Sequence, residues 1–138
     1  MLILVGVSAC MSSKTTTAQS DGHPSQETIL NDIWVLEVLE GKEITAEDYM
    51  REPPRLEFRK AEGKVGGTTG CNSLGGSYIA ENGKLSFGPL ASTRMACPGD
   101  GEQRFLTALS KVNAFKIEDR KLYLMEGNEV RLLFKKAD

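Results

Sequence analysis

Cysteine is the residue type with which this chain could do chemistry. Cys71 follows a glycine-rich run, and Cys97 closes the segment Thr93-Arg94-Met95-Ala96-Cys97, with 25 residues between the two. Such a pair can form a disulfide, stay as two buried thiols, or supply one reactive thiol. Joined, the cysteines close a loop of 27 residues (97 − 71 + 1), and the chain-entropy account then assigns about 3.5 kcal/mol of stabilisation, provided the compartment is oxidising. As a reactive thiol, Cys97 stands just ahead of an expected helix start and three residues from Arg94, the kind of setting that depresses a thiol pKa. The spacing is unlike the C-x-x-C of disulfide oxidoreductases.

Other chemistries find less to build on. The single histidine, His23, lies in a polar stretch without fixed partners, which removes Ser-His-Asp, Cys-His and histidine-metal arrangements. The glycine run has no Gly-Lys-Ser/Thr ending and does not feed a helix, so it is not a phosphate loop. Carboxylate pairs cannot be placed from spacing. With 17 Lys plus Arg against 19 Asp plus Glu, the net charge of −2 gives nucleic acid no electrostatic pull. The chain therefore reads as a non-enzyme, with no catalytic, metal-binding or cofactor-binding residue assigned. Arg94 is read as a brace or a solvent-facing cation before an anion or partner contact, and Asn72 as a turn residue bonding its own backbone.

The elements that must position the cysteines are mostly strands. Asn82-Gly83 lies between the alternating runs Ser77–Ala80 and Lys84–Phe87, the strongest short-range hairpin signal. Ile33–Leu39 reads as a first strand with Trp34, Leu36 and Val38 on one face and Trp34 as a core anchor. Leu56–Arg59, residues 64–68, Phe115-x-Ile117, Leu122-x-Leu124 and Val130-x-Leu132-x-Phe134 alternate in the same way. Short strands at this spacing predict an antiparallel sandwich or barrel, and 138 residues suit one domain.

One helix is expected, over about residues 100–112. Asp100 with Gln103 resembles a capping box, Phe105, Leu109 and Val112 form its apolar stripe with Leu106 alongside, and Glu102, Arg104 and Lys111 form its solvated face.

Taken together, Gly70-Cys71-Asn72, Gly76-x-Tyr78, Leu85-x-Phe87 and Thr93-Arg94-Met95-Ala96-Cys97 resemble the META domain family, which includes HslJ-like bacterial envelope lipoproteins. Trp34-x-Leu36, Leu56-x-Phe58 and Leu132-x-Phe134 extend the resemblance over residues 29–138. It implies a mainly β, compact, antiparallel, lipocalin-like cracked barrel or roll of about eight strands with one helix. It also implies a family without an established enzymatic activity and a link to envelope stress. A barrel mouth holding an apolar or lipid-like ligand is a variant of this reading, and it requires an interior not filled by Trp34, Leu36, Phe58, Phe87 and Phe105. A thiol-based redox protein or enzyme using Cys71 and Cys97 is the alternative.

The amino end fits that resemblance. Residues 1–9, MLILVGVSA, read as the end of a secretory signal, and Val7-Ser8-Ala9-Cys10 resembles a bacterial lipobox with Cys10 as the lipidated residue. Lipid on Cys10 leaves Cys71 and Cys97 as a pair. Residues 10–28 are expected to be a flexible tether, whose polar Met11–Gln26 part has a reach of roughly 20–25 Å. With no acidic residue after Cys10, lipoprotein sorting rules favour the outer membrane, facing the periplasm. The expected partners are the membrane, through the lipid anchor, and an envelope protein, for a monomer that does not bind nucleic acid.

Overall fold

The computed structural model describes Gly6 and residues 24–137; the expected lipidation site Cys10 and His23 lie outside the described residues. A short helix α1 (Gln26–Leu30) precedes β1 (Ile33–Leu39), β2 (Lys42–Glu43), β3 (Arg55–Arg59), β4 (Lys64–Thr68), β5 (Ser73–Glu81), β6 (Lys84–Phe87) and β7 (Ala91–Ser92). Helix α2 (Gly101–Ser110) follows, then β8 (Ala114–Glu118), β9 (Lys121–Glu126) and β10 (Glu129–Lys136).

Eight of the strands close an antiparallel barrel in the order β1-β3-β4-β5-β6-β8-β9-β10, with β10 pairing back onto β1, while β2 and β7 are extra strands on β1 and β5. Closure removes the sheet edges that would otherwise template association. One joint is thin. Strands β6 and β8 share the single pair Lys84↔Ala114, flanked by Leu85 N–H donating to Asn113 O and Phe115 N–H to Gly83 O. The barrel is cracked there because the chain leaves β6 to build β7 and α2 before returning as β8.

The alternation expected of the strands places their apolar residues inside. Trp34, Leu56, Phe105, Leu122, Leu124, Leu132 and Phe134 are fully buried, Leu36 and Phe58 nearly so, and Phe87 packs against them partly buried. Among the described residues, the side chains on which the lipid-like ligand variant turned, Trp34, Leu36, Phe58, Phe87 and Phe105, pack into the barrel core. The hairpin at Asn82-Gly83 forms as expected, with φ of 50° and 77° and the flanking pair Glu81↔Lys84.

Three local readings differ from the sequence expectation. A bulge against β10 between Leu36 and Val38 shifts the phase of β1, so that Leu39 rather than Val38 enters the core. Helix α1 begins inside the segment read as tether to residue 28. Ser25 caps it by accepting from Thr28 N–H, Leu30 is fully buried, and Trp34 Nε1 donates to Leu30 O at 3.0 Å. Finally, Asp100 stands at the N-cap of α2 with ψ of 9° and makes no capping bond; its carboxylate pairs with Arg104 one turn on instead.

Candidate functional site

The glycine-rich run builds a turn rather than a binding loop. Between β4 and β5, Thr69 N–H donates to Asn72 O at 2.8 Å, while Thr69 Oγ1 accepts from Asn72 N–H at 2.9 Å and Cys71 N–H at 3.4 Å. Gly70 holds φ of 95° with the Tyr49 ring pressed on it, so a Cβ there would meet Tyr49 Cδ1 at 2.5 Å. Tyr49 is buried, its hydroxyl has no hydrogen-bond partner among the described residues, and burial pushes its phenol pKa up.

Asn72, only 2% exposed, is the hub of the site. Its Oδ1 accepts from Met95 N–H at 2.7 Å and from Thr93 Oγ1 at 2.9 Å. Its Nδ2 donates to Glu102 Oε1 at 2.7 Å and to Met95 O at 3.2 Å, and lies 3.5 Å from Cys97 Sγ. The expectation that Asn72 bonds its own backbone is corrected here: Thr69 performs that local task, and Asn72 instead clamps the Thr93–Cys97 segment and α2.

Cys71 and Cys97 form a disulfide across this clamp, with Cα atoms 6.2 Å apart. Glu102 lies against it rather than in solvent as the helix pattern suggested. Thr69 Oγ1 donates its single proton to Glu102 Oε1 at 2.7 Å, and Glu102 Oε2 stands 3.4 Å from Cys97 Sγ. Joined sulfurs carry no proton, so that last approach is a contact and not a hydrogen bond. In the first turn of α2 the carboxylate complements the positive end of the helix dipole.

Of the other motif residues, Thr93 is tied to the β5 backbone by Ser73 N–H donating to its Oγ1 at 3.0 Å. Arg94 is exposed and makes no hydrogen bond or ion pair among the described residues, which fits the solvent-facing reading and not the brace. Met95 uses its backbone in the clamp and leaves its side chain 45% exposed. Thus Gly70, Cys71, Asn72, Thr93, Met95 and Cys97 converge, and Arg94 does not. Sequence reasoning missed Thr69, Glu102 and Tyr49. The one signal for Glu102 was its place in a helix first turn, which says nothing about a partner 30 residues away.

Chemically, the cluster is a fastener. Its donors and acceptors are directed at each other and at backbone, and the disulfide adds the loop-closure contribution of about 3.5 kcal/mol. The sulfurs and a Glu102 carboxylate oxygen lie within 4.8 Å of one another, but a disulfide offers no thiolate to a metal.

The META domain pattern matches residues 27–138, the whole of the barrel. The chain belongs to the META domain family. No curated protein matches it. Among solved structures, this META domain is similar to one described as the NMR structure of the protein from Burkholderia xenovorans. That likeness has 31% identity and a TM-score of 0.61, covering 78% of this chain and 82% of that one. A second NMR structure matches at 26% identity and a TM-score of 0.64, covering 84% and 97%. A DUF4847 family protein from Bacteroides vulgatus shares the fold at 16% identity and a TM-score of 0.56, covering 82% and 99%.

Proposed function

We infer that this META domain is a non-catalytic module of the bacterial cell envelope, anchored by lipid at Cys10 to the outer membrane and facing the periplasm. It acts as a monomer by binding or bracing an envelope partner, not by chemistry on a substrate, and in this reading it serves the response to envelope stress. The observation that carries this reading is the Cys71–Cys97 disulfide held inside a closed hydrogen-bond cluster. Disulfides persist where the compartment is oxidising, and small secreted domains use them as staples.

Thiol-based redox chemistry is the weaker reading. Exchange requires an attacking thiolate, and the Glu102 carboxylate beside Cys97 Sγ places negative charge where a thiolate would have to form.

The test is the intact mass of the protein extracted from its native membrane, with and without a thiol-alkylating reagent, before and after reduction. A diacylglyceryl mass on a chain starting at Cys10, alkylated only after reduction, supports the proposal. An unlipidated chain whose thiols alkylate without reduction overturns it and favours the thiol reading.

A further inference from the structure

We propose that reduction of the Cys71–Cys97 disulfide converts the fastener into a site for a thiophilic cation, Zn2+, held by the two sulfurs and Glu102 with a fourth position left to solvent. The geometry is already close. The three ligand atoms lie within 4.8 Å of one another. Tetrahedral thiolates on zinc, with Zn–S near 2.3 Å, stand about 3.8 Å apart. Side-chain rotation at Cys71 and Cys97 supplies that separation over Cα atoms fixed 6.2 Å apart.

The carboxylate is arranged as metal-ligand carboxylates are. Thr69 Oγ1 and Asn72 Nδ2 both bond Oε1 at 2.7 Å, which fixes the group's orientation and leaves Oε2 facing the sulfur of Cys97. Among the described residues no cation pairs with Glu102 within 4 Å, so this half-buried acid has the helix amino end but no counter-ion. Asn72 Nδ2, 3.5 Å from Cys97 Sγ, can donate to a ligating sulfur the N–H that now goes to Met95 O, while keeping its bond to Glu102.

The step balances as follows. A dithiol reductant transfers two electrons and two protons to the disulfide, giving two cysteine thiols and its own cyclic disulfide. Zn2+ then replaces the two thiol protons, which pass to solvent. The charge of the cluster is −1 in both states: one carboxylate beside a disulfide, or Zn2+ with two thiolates and one carboxylate. The cation supplies the positive charge that two thiolates beside Glu102 would otherwise lack. Sulfur donors favour zinc over the oxygen-seeking Mg2+ and Ca2+.

Cobalt titration of the purified chain tests this, because Co2+ bound by thiolates shows charge-transfer absorption and strong tetrahedral d–d bands. The chain is reduced with a phosphine, which adds no competing thiol. One Co2+ per reduced chain, displaced by Zn2+ and absent from the oxidised chain, is the expected result. Cys71→Ser should abolish the charge-transfer band, and Glu102→Gln should weaken binding at least tenfold. Emission from Trp34, the only tryptophan, follows the fold throughout. Equal affinity in Glu102→Gln, binding to the oxidised chain, or absence of the one-to-one band each overturns the proposal. So does a reduced chain that unfolds and is not restored to native Trp34 emission by Co2+.

Discussion

Asn72 Nδ2 donates to Glu102 Oε1 at 2.7 Å, joining the turn between β4 and β5 to the first turn of α2. The same side chain holds Met95 by both its N–H and its carbonyl. Asn72→Ala takes the donor and the acceptor away from these part-buried partners, and a polar group left unsatisfied away from water costs about 1–3 kcal/mol. The expected loss is therefore about 2–3 kcal/mol, read as a lower urea midpoint. A loss no larger than that of an exposed substitution such as Arg94→Ala would mean the clamp contributes no stability.

Gly101→Ala sets helix propensity against packing. Alanine is the better helix former by about 1 kcal/mol in a helix interior. At Gly101, though, a Cβ would fall on Asp48 O and approach Tyr49 Cε1 at 3.0 Å. Backbone cannot yield as a flexible side chain does, and overpacking costs about 1–3 kcal/mol. The variant should unfold at a lower urea concentration than the wild type. A raised midpoint would show that residues 44–54, the connection from β2 to β3 that carries Asp48 and Tyr49, move aside easily.

The barrel was legible because its strands alternate in period two and its tight hairpin carries Asn82-Gly83, signals contained within a few residues. The site was legible as a pairing of Cys71 with Cys97 and as the motif residues around them, but not as a hydrogen-bond cluster. Glu102 and Thr69 looked ordinary because their roles depend on contacts 30 and 33 residues away. Val38 misled for a related reason: the bulge that turns it outward is set by the register against β10, close to 100 residues further along the chain. Asp100 followed the sequence rule for a cap, yet the ion pair with Arg104 took its carboxylate.

Acid sensitivity should trace in part to Asp48. Its carboxyl is held below the usual aspartate value by Thr45 N–H, then by the Thr45 hydroxyl, against some desolvation, with Arg104 adding a further favourable charge. A carboxyl whose folded pKa is depressed contributes stability above its unfolded value, near pH 3.9, and loses it as pH falls through the folded value. Asp48→Asn should therefore flatten the decline of the urea midpoint from about pH 4 downward. Parallel declines in the two proteins would remove Asp48 from the acid transition.

Helix α1 should act as the strap over the thin joint between β6 and β8. Ile117 N–H points away from β9 toward that joint, where no strand residue receives it, and Gln26 Oε1 accepts it at 2.8 Å. Glu27 Oε1 accepts Asn82 N–H at 2.8 Å on the β5–β6 turn. Both bonds are exposed, so water replaces part of what the double change Gln26→Ala, Glu27→Ala removes, and the global loss should be about 1–2 kcal/mol. The local effect should be larger. Ile117 amide exchange should speed up by more than the global loss predicts, because opening at the joint no longer requires the whole barrel to unfold. Unchanged protection at Ile117 would show that the joint is held by Lys84↔Ala114 and its flanking bonds alone, and that α1 merely rests on the barrel.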